Sequence, residues 1–305
     1  MNSKNEILER GANDLAHKSR QIQLASSLAV IVALSLIGLK TYAWLATGSI
    51  ALLGSLFDSV LDFSISFINF FVVRHALTPA DDEHRFGHGK AEALAALAQA
   101  LVISVSAILL IMQSVDRFFN PQPISHGVIG IVVIVIAIVA TLGLVFFQRK
   151  VAKSTGSLAI SADSAHYEAD LYMNLAVILS LVLTIYADFA LADPILGGVV
   201  ALMLLMSARE ILAKSSKQLM DHEANDETRG NIEAIIGAHP EVRSFHDLRT
   251  RHSGTQLFIQ AHIELDGEMS LFRAHEIAEE VEAALLMQYP GADVILHQDP
   301  EGYDA

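Results

Sequence analysis

Six apolar stretches decide what this chain can fold into. They cover roughly residues 24–46, 50–73, 91–114, 127–147, 157–186 and 191–208. About 20 helical residues, rising 1.5 Å each, cross about 30 Å of hydrocarbon. A bilayer core offers no water to unpaired backbone groups, so each stretch is predicted to be a transmembrane helix. The short link TGS at 47–49 and the breaker PQP at 121–123 punctuate the series. Composition agrees: the chain is 52% hydrophobic and 18% charged, with mean hydropathy +0.44. A soluble domain is nearer about a quarter charged.

Charge sets the orientation. Lys4, Arg10, Lys18, Arg20, Arg74, Arg85, Lys90, Arg149, Lys150, Lys153, Arg209, Lys214 and Lys217 flank the spans on one side, against Arg117 on the other. The positive-inside rule then puts both termini in the cytoplasm of a multi-pass protein of the cell (inner) membrane. The first 20 residues are polar without an apolar h-region, so no cleaved signal peptide is expected and the first span remains as an anchor. Cysteine is absent, which excludes disulfide frameworks, thiolate zinc fingers and cysteine nucleophiles. Metal chemistry would therefore rest on His, Asp and Glu.

The segment from Gln218 onward carries 18 acidic residues against five arginines. Such a surface suits cations and argues against nucleic acid as a partner. Its pattern predicts a small α+β domain. Asn225 to His239 has helical spacing and ends at Pro240, and VRSFHDLRTRHSG and TQLFIQAHIELDG alternate as a hairpin about Ser253-Gly254. Ser270 to Gln288 is amphipathic, and ADVILHQD closes as a strand, giving an open sheet with helices on one face. The expected domains are an N-terminal cytoplasmic segment (1–23), a six-helix membrane domain (24–217) and a cytoplasmic metal-binding and dimerisation domain (218–305).

Three constellations carry chemistry. Within the second span, SLFDSVLDFS places Asp58 and Asp62 at i and i+4, on one helix face and about 12 to 18 Å into the span. In the fifth span, SADSAHYEADLYMN repeats the device with His166 and Asp170, and Asp163 a turn earlier. Neither helix carries Lys or Arg at comparable depth, so these carboxylates have no evident basic partner. A buried carboxylate costs several kcal/mol unless it is neutralised or paired. Three carboxylates and one imidazole suit tetrahedral Zn(II) and its neighbours, and protons in the metal's absence. The second constellation is the loop ADDEHRFGHGKAE, where Asp81, His84 and His88 have ligand spacing and Gly87 and Gly89 permit a tight wrap. In the third, His246 and His262 lie on the hairpin strands, His275 opens the amphipathic helix, and His297 ends the last strand beside Asp299. HEIAE at 275–279 lacks the second histidine of a metallopeptidase helix.

Taken together, FDSVLD, HYEAD, PADDEHRFGHGKAE, HDLRTR and VILHQDP resemble the cation diffusion facilitator family, in particular its bacterial proton-coupled zinc and ferrous-iron efflux members. The resemblance runs from about Leu24 to Pro300. It implies a homodimer with six transmembrane helices and a ferredoxin-like, metallochaperone-like cytoplasmic domain. It also implies a transport site of Asp58, Asp62, His166 and Asp170, a loop site of Asp81, His84 and His88, and a binuclear site at the dimer interface using His246, His262, His275, His297 and Asp299. Lys90 and Asp221 match a lysine–aspartate pair that ties the two protomers. His222, where close relatives often carry Arg, and the extra His252 depart from the pattern.

The implied activity is a divalent cation:proton antiport by alternating access. It would export Zn(II), with Cd(II) or Fe(II) as alternative cargo, using metal ions, protons and the lipid bilayer as partners and no catalytic cofactor. Two other classes stay open. A metal-dependent intramembrane enzyme needs an open metal position, which four protein ligands would close. A membrane-tethered metal sensor without net transport explains the C-terminal histidines but leaves Asp58 and Asp62 without a role. Donor chemistry leans toward Zn(II) or Cd(II) over Mn(II), because imidazole is softer than carboxylate.

Overall fold

A computed structural model of the chain describes residues 2–48, 50–120, 128–187, 189 and 191–302. It divides into two compact units. One comprises Gln21–Pro79 and Ala91–Ser216; the other comprises Met1–Arg20, Ala80–Lys90 and Lys217–Ala305.

The first unit is helical. Its helices are α1 (Asn2–Thr47, from Gln21), α2 (Ile50–Ala76), α3 (Lys90–Phe119), α4 (Val128–Thr155), α5 (Leu158–Ala187) and α6 (Ala192–Leu219). Each is long and apolar enough to cross a membrane, as the sequence predicted. Large side chains such as Leu101, Val105, Leu109, Val135 and Val139 face outward uncovered, which suits lipid better than water. Small residues line the inside: Ala96, Ala100 and Ala107 of α3 pack with Ala162, Ala165 and Ala169 of α5 and Ala208 of α6. Without Cβ branches in the way, the three backbones approach closely, which is how helices associate in a medium as apolar as their own side chains.

Several helices outrun their apolar windows. Helix α1 begins at Asn2, so the polar N-terminal segment is helical, and α6 continues to Leu219. Only Gly156 and Ser157 separate α4 from α5, because α4 runs to Thr155 and so past the apolar stretch that ends at about residue 147. Gly156 ends that helix at φ +73°, and Gly48 ends α1 at φ +64°, backbone that an L side chain rarely adopts. Hydropathy marks where hydrocarbon begins, whereas a helix stops where its backbone is turned. Pro121-Gln122-Pro123 and Ser49 lie outside the described residues.

The second unit holds α7 (Asp226–Gly237), β1 (Ser244–Ser253), β2 (Gln256–Leu265), α8 (Leu271–Gln288) and β3 (Asp293–Pro300). The predicted helix–strand–strand–helix–strand order is present. Asn225 caps α7, its side chain accepting from the Thr228 amide, and Ser270 caps α8 through the Arg273 amide. The strands lie in the order β1-β2-β3, with β1 antiparallel and β3 parallel to β2. Leu257, Ile259, Ala261, Ile263 and Leu265 turn one face of β2 into the core, where Ile232, Ile236, Ile277, Val281 and Leu285 cover it. The alternation leaves Gln260, His262 and Glu264 on the opposite face. The start of α1 belongs to this unit too: a Cβ on Gly11 would stand 2.8 Å from the Gly291 amide nitrogen, and Leu15 packs against Gly291.

Candidate metal transport and binding sites

Asp62 of α2 and His166 and Asp170 of α5 converge, each offering one ligand atom within 4.8 Å of the others. His166 Nε2 lies 3.2 Å from Asp62 Oδ1. Asp58, one turn from Asp62, stands outside this trio but lines the same cavity of about 110 Å³, with Asp62, Asp170, Ser59, Thr141, Tyr167 and Asn174. Lys40 of α1 lines it as well, and its ammonium donates to the Ser59 hydroxyl at 2.6 Å and the Ser55 carbonyl at 3.0 Å. The expectation that these carboxylates have no basic group at their depth is therefore corrected. Neither α2 nor α5 supplies one, but α1 does.

Behind the trio, Asp163 is fully buried. Gln148 of α4 donates to its Oδ2 at 2.6 Å and Gln99 of α3 to its Oδ1 at 3.3 Å. On the same helix, Tyr167 shares a 2.8 Å hydrogen bond with Ser66 of α2 and donates to the Ala29 carbonyl of α1 at 3.3 Å. Five helices are thus joined by polar contacts one turn from His166. Asp163 belongs to this frame and not to the converging ligands.

The loop site also closes up. Asp81 Oδ1 lies 3.3 Å from His84 Nδ1, and Oδ2 lies 3.3 Å from His88 Nε2. The His84 and Glu83 amides donate to Asp81 at 2.6 and 3.0 Å, and Gly87 turns the chain at φ +74°. The His84 amide, the largest influence, holds the Asp81 carboxyl below its usual range. Gly89 is required where it stands, because a Cβ there would be 2.4 Å from the Ser253 carbonyl oxygen. Next to it, Lys90 pairs with Asp221 at 2.9 Å, and Arg251 reaches the other oxygen of that carboxylate at 3.1 Å. The pair expected to tie two protomers forms here inside one chain. Burial alone would raise Asp221, but the two basic side chains outweigh it and hold the carboxyl low.

On the sheet, strand register brings histidines into one row. His246 is paired with His262, and His262 with His297. Their rings follow at 5.1 and 4.7 Å between centroids. Asp299 lies across the row: Oδ2 is 2.8 Å from His262 Nδ1 and 3.6 Å from His246 Nε2, while Oδ1 is 3.2 Å from His297 Nε2. Glu264, in register with Asp299, adds a contact to His246 Nδ1 at 3.2 Å. His275 does not join the group. It is exposed, with Nε2 3.8 Å from Glu279 Oε1 on its own helix.

With this geometry in view, comparison with known proteins is decisive. The cation efflux transmembrane domain matches residues 26–220, and the cation efflux protein cytoplasmic domain matches residues 224–301. The chain belongs to the cation efflux family. This is the cation diffusion facilitator family that the sequence motifs resemble. Among its relatives, the cation-efflux pump FieF of Pectobacterium atrosepticum is 45% identical over 284 residues, covering 93% of this chain and 94% of that protein. FieF of Shewanella oneidensis is 44% identical over 279 residues, covering 92% and 94%. The metal-bound C-terminal domain of the CzcD transporter from Thermotoga maritima is 32% identical over 26% of this chain and 93% of its own, with a TM-score of 0.25.

Lys40, Glu264, Arg251 and the amides around Asp163 went unread in the sequence. A lone lysine in LSLIGLKTYAWLA was the one visible signal for the first.

Proposed function

We propose that the protein exports a divalent metal cation from the cytoplasm in exchange for protons. Zn(II) is the preferred cargo, with Cd(II) and Fe(II) as alternatives. The observation that carries this reading is the meeting of Asp62, His166 and Asp170 at one point, beside Asp58, inside helices long enough to span a membrane. Metal needs its ligands deprotonated, so metal and protons compete for the same lone pairs. While the site faces the cytoplasm these four residues take the cation. Once it faces outward, protons displace it and return with the protein. Imidazole, whose ordinary titration lies nearest neutrality, makes His166 the main proton carrier.

The excess of basic residues on one side supports an inner-membrane protein with both termini in the cytoplasm. The domain at 218–305 then meets cytoplasmic metal. His246, His262, His297 and Asp299, with Glu264, would bind it, and Asp299, presenting one oxygen to each side of the row, suits a bridge between two ions. We place His275 in that site only through a second copy of the chain in a homodimer. Occupancy of this site would favour one conformer of the transporter by differential binding. The loop trio Asp81, His84 and His88 forms a third site on the same side. The sensor reading explains the histidine row but not the membrane trio, and the enzyme reading needs an open metal position that four protein ligands would close.

The deciding experiment is metal-driven proton flux in proteoliposomes. Zn(II) is expected to drive protons the other way in wild type and in neither Asp62→Ala nor Asp170→Ala. Unchanged exchange in those variants would remove the assignment. Flux of Zn(II) without counterflow of protons would remove the antiport.

A further inference from the structure

The transport cavity contains a positive charge that a cation exporter should avoid. Lys40 stands about two turns before the end of α1 at Thr47, inside its apolar stretch of residues 24–46, where an ammonium is costly. Its two hydrogen bonds pin α1 to α2 at the turn carrying Asp58. A serine or threonine could make such a pin without importing charge, so pinning alone does not account for a lysine. The cavity does account for it. Asp58, Asp62 and Asp170 would bring three negative charges to a space of about 110 Å³ that Lys40 lines with them.

We propose that Lys40 is the fixed counter-charge of the transport site, setting its net charge to match one divalent cation and so permitting its release. The proposal rests on the transport-site reading above. Three carboxylates and one ammonium leave a net charge of minus two beside a neutral imidazole, the complement of a single divalent ion. Without the ammonium the site would hold one negative charge in excess, and a bound cation would be attracted more strongly both while loading and while leaving. Only the second of these matters to turnover, since a step that tightens the bound state equally slows escape. Lys40 is thus a positioning and specificity residue. It repels cargo enough to keep binding reversible, and it discriminates against monovalent ions, which would leave the site charged.

The test separates charge from hydrogen bonding. Lys40→Gln keeps a donor and loses the charge, Lys40→Met loses both, and Lys40→Arg keeps both. Zn(II) uptake into proteoliposomes carrying the full-length protein and an internal zinc indicator gives KM and the maximal rate. Even with screening as strong as bulk water, a dielectric of about 80, loss of one charge about 6 Å from a divalent ion is worth about a tenfold change in affinity. Lys40→Gln and Lys40→Met are therefore expected to lower KM about tenfold and the maximal rate by a similar factor, with Lys40→Arg close to wild type. A merely structural lysine would give reduced rate at unchanged KM, with Gln better than Met. That pattern, or a raised KM in Lys40→Gln, overturns the proposal. If Asp62→Ala and Asp170→Ala abolish uptake while Lys40→Gln matches wild type, only the counter-charge falls. If those aspartate variants still transport, the transport-site reading falls and takes this one with it. Thermal melting of each purified variant identifies any that fails to fold, and the comparison then rests on whichever of Lys40→Gln and Lys40→Met folds.

Discussion

His166 Nε2 and Asp62 Oδ1 lie 3.2 Å apart although 104 residues separate them in the chain. The contact joins α5 to α2 with two groups that are both metal ligands by chemistry. A metal entering between them would replace one hydrogen bond with two coordinate bonds, which selects for a cation that accepts nitrogen and oxygen together. Asp62→Asn keeps the side chain's shape and hydrogen-bonding reach but removes its charge. It is expected to weaken Zn(II) binding at this site by at least the ~10- to 100-fold typical of losing even an outer partner of a ligand. Equilibrium dialysis of radioactive zinc against the full chain, with the C-terminal site disabled by His262→Ala, checks this. Unchanged affinity would show that the contact is a plain interhelical hydrogen bond.

What the sequence revealed of this site follows from spacing. Asp58 and Asp62, and His166 and Asp170, are four residues apart in apolar runs, so the face they share is set by helix geometry alone. Lys40 escaped because nothing in its own helix marks which neighbour it will meet. The histidine row is a parallel case. Each of His246, His262 and His297 was visible, but their alignment depends on β2 pairing antiparallel on one side and parallel on the other. Glu264 looked like the solvent half of an alternating strand, and only its register with Asp299 gives it a partner. The helix ends were misread for a different reason: polar turns of α1, α4 and α6 continue beyond any apolar window.

The frame around Asp163 should matter to stability more than to binding. Gln148→Ala removes the 2.6 Å donor from a fully buried carboxylate and leaves Gln99 as its amide partner. Leaving a buried polar group short of a partner costs about 1–3 kcal/mol. A fall in melting temperature of the detergent-solubilised protein is expected, with KM for Zn(II) shifted by less than the Asp62→Asn variant shifts it. A KM change as large as that of Asp62→Asn, with no loss of stability, would make Asp163 part of the binding site.

Asp299 is the common partner of three histidines, so its removal should dismantle the sheet-face site as a unit. Asp299→Ala is expected to reduce zinc bound per full-length chain and to leave the fold intact, because the side chain lies on the face opposite the core of Ile259, Ile263 and Ile277. Transport should persist, with its response to rising cytoplasmic-side zinc flattened. Stoichiometry by metal analysis and initial rates across a zinc series provide the measurement. Loss of all transport at saturating zinc would place Asp299 in the transport pathway itself.

The Lys90–Asp221–Arg251 cluster gives a pH signature. Desolvation pushes the Asp221 carboxyl up, but its hydrogen bonds to Lys90 at 2.9 Å and Arg251 at 3.1 Å prevail, so the folded-state value lies below the unfolded one. Ionised Asp221 therefore stabilises the fold above the ordinary aspartate value of about 3.9, and that contribution disappears as pH falls through the lower folded value. Asp221→Asn should melt below wild type at pH 7. The gap should stay nearly constant down to about pH 5 and then close under further acidification. Differential scanning fluorimetry of both proteins across that range tests the sign directly. A gap that widened on acidification would mean that Asp221 is held above its ordinary value, and that burial prevails over its two basic neighbours.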